Sequence, residues 1–160
     1  MVTKTRIGFV VGCLLLGSGL ASAQLVRHRS VTGPRGGTRS VTQTRANGQF
    51  SGTRQATGPH GATYMNQRDV SPGQYNDVRT KTGRNGASVT TQRTAQKGEL
   101  NTTKTAVGPN GGTYTSQRAV APGQLNSSKT AVGPNGGVYT DQRSVTEGQV
   151  TNTRTFTAAH

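Results

Sequence analysis

The sequence has very little of what a conventional hydrophobic core requires. Its 160 residues include one cysteine, no tryptophan, three phenylalanines and four tyrosines. Once residues 1–23 are set aside, for the reason given below, Leu, Ile, Val and Phe supply only 17 of the remaining 137 residues. A charged chain with less than about 20% of these residues is not expected to form a compact core. The composition therefore argues against a compact globule, and the length excludes a large enzyme with several domains.

Acidic residues and histidines are also scarce, which bears on catalysis. The five acids occupy unrelated positions of the repeat described below; they are Asp69, Asp77, Glu99, Asp141 and Glu147. The three histidines, His28, His60 and His160, have no carboxylate or thiol at metal-ligand or catalytic spacing. The Gly-rich segments lack the Lys-Ser or Lys-Thr of a phosphate loop. We therefore expect no catalytic residues, no metal and no cofactor, and a protein that is not an enzyme.

The long apolar run of the chain lies at its start. Lys4 and Arg6 precede an apolar segment over 7–16, and small residues follow at Ala21 and Ala23. This order is typical of a cleaved secretory signal peptide, with the cut before Gln24. Spanning a bilayer needs about 20 apolar residues, and this segment is shorter. We expect a mature chain without a transmembrane span, located outside the cytoplasm as a secreted, periplasmic or cell-surface protein.

The single cysteine, Cys13, lies inside that predicted signal peptide. Cleavage before Gln24 would leave a mature protein with no thiol and no disulfide. The sequence Val10-Val11-Gly12-Cys13 also loosely resembles a lipobox, in which Cys13 would become a lipidated N-terminus. This alternative stays open.

A 25-residue repeat organises the rest of the chain. Residues 101–125 and 126–150 are identical at 17 of 25 positions. The same frame predicts a basic N-terminal segment with a degenerate first repeat over 24–50, four repeats over 51–150, and a truncated repeat over 151–160.

Each repeat contains two turn signals. One is Gly108-Pro109-Asn110-Gly111, repeated as Gly133-Pro134-Asn135-Gly136; Pro presets φ and the last Gly accepts a positive φ. The other is Pro-Gly, as in Pro122-Gly123, which suits a type II turn. The segments between turns, such as 125–132 and 138–145, are rich in Thr, Val and Tyr and favour strands.

These patterns predict an all-β array of five repeats, each strand, turn, strand, turn. In a β-solenoid, equivalent residues would stack about 4.8 Å apart, so that Arg68, Arg93, Arg118 and Arg143 would form a column of like charge. In an antiparallel hairpin meander, equivalents lie two strands apart, which relieves the repulsion. We favour the meander; the solenoid, and a chain that is disordered as an isolated monomer, stay open.

The plan of strands and turns with periodic Gly, Asn and Gln resembles curlin, the repeat subunit of bacterial amyloid fibres, over residues 26–150. The resemblance implies a repetitive β architecture. Curlin repeats are shorter and place their Asn and Gln differently from Asn110 and Gln117, so no residue role is carried over.

Basic residues recur in two series at the repeat spacing. One series is Arg29, Arg54, Arg79, Lys104, Lys129 and Arg154; the other is Arg68, Arg93, Arg118 and Arg143. Such rows favour binding to polyanions, which outside the cytoplasm are acidic polysaccharide, lipopolysaccharide and extracellular nucleic acid. The alternative is that the charges only keep an edge-exposing sheet soluble.

The sequence thus predicts a secreted, cationic, low-complexity repeat protein with a structural or adhesive role. Self-association into an extracellular matrix or fibre is one expected mode of action. Two alternatives stay open: a Thr-rich, flat binding surface like that of ice-binding proteins, suggested by threonines at 151, 153, 155 and 157, and a disordered cationic exported chain.

Cleavage of the signal peptide gives a direct prediction. N-terminal sequencing of the exported protein should begin at Gln24, because Ala21 and Ala23 fit the small-residue pockets of signal peptidase. A mature product that begins with lipid-modified Cys13 would contradict it.

Overall fold

The computed structural model describes residues 24–159, which form one antiparallel sheet of eleven strands arranged in sequence order. The strands are β1 (Leu25–Thr32), β2 (Thr38–Ala46), β3 (Gln49–Thr57), β4 (Thr63–Ser71), β5 (Gln74–Thr82), β6 (Ser88–Gln96), β7 (Glu99–Val107), β8 (Thr113–Ala121), β9 (Gln124–Val132), β10 (Val138–Thr146) and β11 (Gln149–Thr157). Each strand pairs with the next along the chain. The predicted all-β meander is confirmed. The solenoid is wrong, because equivalent strands are not neighbours.

The pairing register reproduces the 25-residue repeat in space. Leu25 pairs with Arg45 on β2, and Arg45 pairs on its other side with Phe50 on β3. In every later pair of strands, a residue of an even strand likewise pairs with two residues of odd strands that are 25 apart in sequence. Residues 25 apart therefore lie at the same level, two strands or about 10 Å apart.

Five-residue turns connect each odd strand to the following even strand. In the turn over 108–112, the Gly111 amide donates to the Gly108 carbonyl over 3.2 Å, and the Gly108 amide donates to the Gly112 carbonyl over 2.7 Å. Gly111 and Gly136 have φ of 82° and 86°, which only glycine adopts without strain. The Gly-Pro-Asn-Gly segments lie in the turns that connect β7 to β8 and β9 to β10.

Two-residue turns connect each even strand to the following odd strand. Gly123 has a φ of 72° and follows Pro122, as the type II prediction requires. Three of these turns have no proline, and both of their residues have positive φ, as in a type I′ turn. They are Asn47-Gly48, Lys97-Gly98 and Glu147-Gly148, with first-residue φ values of 49–50°. The sequence analysis did not separate these two turn types.

The sheet is a single layer without an apolar core. Among the described residues no hydrophobic side chain is buried, and Asp77 is the one buried side chain, with 2% of its surface exposed. This agrees with the low content of Leu, Ile, Val and Phe. The described residues also include no helix long and apolar enough to cross a membrane.

Strand alternation gives the sheet two faces of different chemistry. We call the side of β9 that carries Leu125, Ser127, Lys129 and Ala131, with the cross-strand partners of these residues, the basic face. The opposite side, which carries Asn126, Ser128 and Thr130 on β9, is the threonine face. The predicted signal peptide, with Cys13, Ala21 and Ala23, and residue His160 lie outside the described residues.

Candidate functional site

Every lysine and arginine of the eleven strands lies on the basic face. The register shows this directly, because cross-strand partners share a face. These fourteen residues are Arg27, Arg29, Arg39, Arg45, Arg54, Arg68, Arg79, Lys81, Arg93, Lys104, Arg118, Lys129, Arg143 and Arg154. The face is therefore a continuous cationic surface about eleven strands wide.

The ten basic residues singled out in the sequence form two adjacent rows across the middle of this face. One row contains Arg68, Arg93, Arg118 and Arg143, on the even strands β4 to β10. The other contains Arg29, Arg54, Arg79, Lys104, Lys129 and Arg154, on the odd strands. Mostly small or polar residues separate neighbours within a row; Thr102 lies between Arg93 and Arg118. The two series thus belong to one surface.

Four basic residues of this face were missed by the sequence analysis. Arg27 extends the first row onto β1, and Arg39, Arg45 and Lys81 lie at the outer levels of the face. They do not recur every 25 residues, so the repeat frame does not reveal them. Two-residue alternation within each strand would have placed them on this face once the strand bounds were known.

Two apolar rows flank the basic rows, one near each set of turns. The row near the two-residue turns includes Phe50, Tyr75 and Leu125, and the row near the five-residue turns includes Tyr114 and Ala131. Four cations lie over aromatic rings of these rows, 5.5–5.8 Å from the ring centres. The pairs are Arg45 with Phe50, Arg54 with Tyr64, Arg68 with Tyr75, and Lys104 with Tyr114.

These cation–π contacts hold the basic side chains in place on the sheet. Each contributes about 0.5–1 kcal/mol at an exposed site. The Phe50 ring also lies above Gly52, where a Cβ atom would be 2.8 Å from the ring. A glycine on β3 is therefore required for the ring to take this position. The rows are arranged by cross-strand contacts rather than by burial.

Asp77 interrupts the first basic row and is the centre of a polar cluster. Its carboxylate accepts a 2.7 Å hydrogen bond from Asn66 Nδ2 and lies 3.4 Å from both Arg68 Nε and Arg79 Nη2. Arg93 is its cross-strand partner on β6. The two contacting arginines keep 45% and 40% of their side-chain surface exposed. The cluster fixes these arginines and lowers the local positive charge.

Asp141 has the same role in the second row, with weaker contacts. It lies 3.8 Å from Lys129 Nζ and 3.7 Å from Arg154 Nε, and its side chain is 15% exposed. Ser116 holds the equivalent position one repeat earlier, and there Lys104 lies over Tyr114 instead. Lys129 therefore contacts a carboxylate, whereas Lys104, one repeat earlier, contacts an aromatic ring.

The most positive part of the basic face is its N-terminal end. Strands β1 to β3 place five arginines on this face, and residues 24–68 contain no acid. Arg27, Arg29 and Arg39 border a shallow depression of about 350 Å³ that is also lined by Val31, Val41 and Gln43. No arginine there is neutralised by a carboxylate within the described residues.

The described residues contain no group of three or more His, Cys, Asp or Glu side chains placed to hold a metal ion. Comparison of the chain with protein-family models, with curated proteins and with solved structures finds no match. The resemblance to curlin is not supported by these comparisons.

The Asp77 cluster predicts opposite effects on stability and on binding. Asp77→Asn should lower the free energy of unfolding by about 1–3 kcal/mol, because a buried carboxylate that accepts charged hydrogen bonds is lost. The same change should raise affinity for heparin, because Arg68 and Arg79 lose their neutralising partner. Chemical denaturation and heparin titration measure the two effects.

Asp141→Asn is the matched comparison. It removes the same charge, so its gain in heparin affinity should be similar, but its more exposed and longer contacts predict a smaller stability loss. Equal stability losses in the two variants would show that the Asp77 cluster has no special role in the sheet.

Proposed function

We propose that this is a secreted, non-enzymatic structural or adhesive protein that binds extracellular polyanions through the basic face. The observation that carries the proposal is the placement of all fourteen strand lysines and arginines on one side of the sheet. Segregation concentrates the field where a polymer can run along the rows.

The spacing of the rows suits a long polymer better than a small ligand. Neighbouring cations of one row lie about 10 Å apart, which is close to one Debye length at 0.1 M salt. Several of them therefore act together on one polyanion. The row from Arg29 to Arg154 runs across the whole width of the sheet, and the side chains that separate the members of both rows are mostly short.

Among extracellular polyanions, acidic polysaccharide fits the face best. Stacking of nucleic-acid bases needs exposed aromatic faces. Three of the tyrosines on this face, Tyr64, Tyr75 and Tyr114, already have a basic side chain over their rings. Arginine forks match carboxylate and phosphate groups in a bidentate geometry, and an acidic polysaccharide needs no stacked bases. Nucleic acid would then bind through phosphate contacts alone, without preference for sequence.

Charge placement, rather than net charge, should determine binding. The row variant carries three substitutions: Arg93→Gln, Arg118→Gln and Arg143→Gln. It should bind heparin more weakly and with a flatter dependence on salt, because fewer contacts form and fewer counterions are released on binding. On single-stranded DNA, the slope of log K against log salt should fall by about 2, or about 0.7 for each contact.

The control removes the same charge from the turns. Arg35→Gln, Arg84→Gln, Lys97→Gln changes residues outside the strands and should leave the slope nearly unchanged. Circular dichroism confirms that both variants keep their strands. If the two variants lose the same affinity and slope, net charge alone governs binding, and the rows are solubilising charge.

A further inference from the structure

The threonine face carries most of the strand threonines and almost no charged side chains. Of the strand threonines, only Thr91 and Thr102 lie on the basic face. The threonine face has no lysine or arginine, and on β4 to β11 its acids are Asp69 and Glu99, both towards the two-residue turns. A covering layer would therefore meet almost no charge on this side.

A single layer is an unusual end state for a sheet. Stable domains bury one face of a sheet against a second layer, and here no second layer comes from the described residues. A second copy of the chain cannot cover the basic face, because fourteen cations would meet fourteen others. It meets no such repulsion at the threonine face.

The threonine face also has a self-complementary relief. One row across β4 to β11 alternates glutamine with a shorter side chain: Gln67, Val78, Gln92, Thr103, Gln117, Ser128, Gln142 and Thr153. The four glutamines are exposed, whereas Val78, Thr103 and Ser128 are half-buried. Long and short side chains that alternate in this way can interdigitate with a facing sheet.

We propose that two copies of the chain pack through their threonine faces, related by a two-fold axis that runs parallel to the strands between β7 and β8. This axis places β7 of one copy opposite β8 of the other, and β6 opposite β9. Gln117 then faces Thr103 of the second copy, and Gln92 faces Ser128. In the same arrangement Gln142 faces Val78 and Gln67 faces Thr153, so all four glutamines enter gaps.

The area is sufficient for a stable dimer. Eight strands at about 4.8 Å spacing and about nine residues at about 3.4 Å each give a contact of about 1,100 Å² per copy. A standard interface buries about 800 Å² on each partner. Strands β1 to β3, with the acid-free arginine group, extend beyond the contact.

An ice surface is the other occupant that the sequence suggested. The register does align seven threonines as direct cross-strand partners: Thr80, Thr90, Thr105, Thr115, Thr130, Thr140 and Thr155. The adjacent row, however, carries the protruding glutamines, and the row on the other side includes Val107 and Val132. This relief fits a second sheet better than a flat lattice plane.

Dimerisation through the threonine face leaves both basic faces outward. One dimer could then bridge two polyanion chains, a consequence that rests on the proposed function. The dimer itself does not rest on it, so its test omits any polyanion and the two proposals fail separately.

Sedimentation velocity of the exported protein tests the dimer. The wild-type protein should sediment with the mass of two chains. Thr103→Lys with Thr115→Lys should give the mass of one, because four lysines would be buried at the centre of the contact. The matched control is Thr102→Lys with Ser116→Lys, which adds the same charge to the same two strands on the basic face; it should remain dimeric.

A second pair of variants tests the interdigitation without charge. Thr103→Gln with Ser128→Gln fills two gaps and should also give single chains, while Thr102→Gln with Ser127→Gln on the basic face should not. A monomeric wild-type protein, including one that inhibits ice growth, would overturn the proposal. So would equal behaviour of the test and control variants in either pair, with strand content checked by circular dichroism.

Discussion

Two alternating turns set the register of the sheet and thereby decide which side chains lie on each face. A five-residue turn followed by a two-residue turn returns the chain to the same level after 25 residues, as Leu25, Arg45 and Phe50 show. A slip of one residue in any turn would exchange the two faces of every later strand. The segregation of lysine and arginine from threonine is therefore a property of the turns as much as of the strands. Gly111 and Gly136, which adopt positive φ in these turns, therefore help to determine which side chains the basic face presents.

A sheet with no buried apolar side chain among its described residues must be held by its ladder and by contacts along its surface. Cross-strand pairs contribute about 0.2–1 kcal/mol each, and here they occur at every level of ten strand pairs. The four cation–π contacts and the Asp77 cluster add to these on the basic face. Some of the residues that stabilise the fold on that side also present its charge. Loss of Arg54 or Arg68 thus affects both packing and binding.

Much of this fold was predictable because its signals are local. The Gly-Pro-Asn-Gly turns and the Thr- and Val-rich segments determine the strands to within one residue at 125–132 and 138–145. The period of 25 also identified ten of the fourteen cations of the basic face. Arg27, Arg39, Arg45 and Lys81 were not found, because they break the period and their face depends on exact strand bounds.

The threonine row and the Asp77 cluster were beyond the sequence pattern for a different reason. Thr115 and Thr130 pair across one hairpin, but the row continues to Thr140 only through the register of the next hairpin. Asp77 is unique to its repeat, so periodicity gave it no role, and its burial depends on Arg68, Arg79 and Asn66 from two strands. Contacts that occur once in a repetitive chain need the three-dimensional arrangement.

Spin-label distances between equivalent residues measure the 25-residue register of one open sheet. Thr80, Thr105 and Thr155 lie on β5, β7 and β11. Each is replaced by cysteine, the cysteines are spin-labelled in pairs, and the labelled protein is diluted with unlabelled protein. The register predicts about 29 Å between positions 80 and 155 and about 19 Å between 105 and 155, at about 4.8 Å for each strand. Distances of half these values would indicate a solenoid with equivalent strands stacked, and broad distributions would indicate a disordered chain. Neither result is compatible with an open meander sheet.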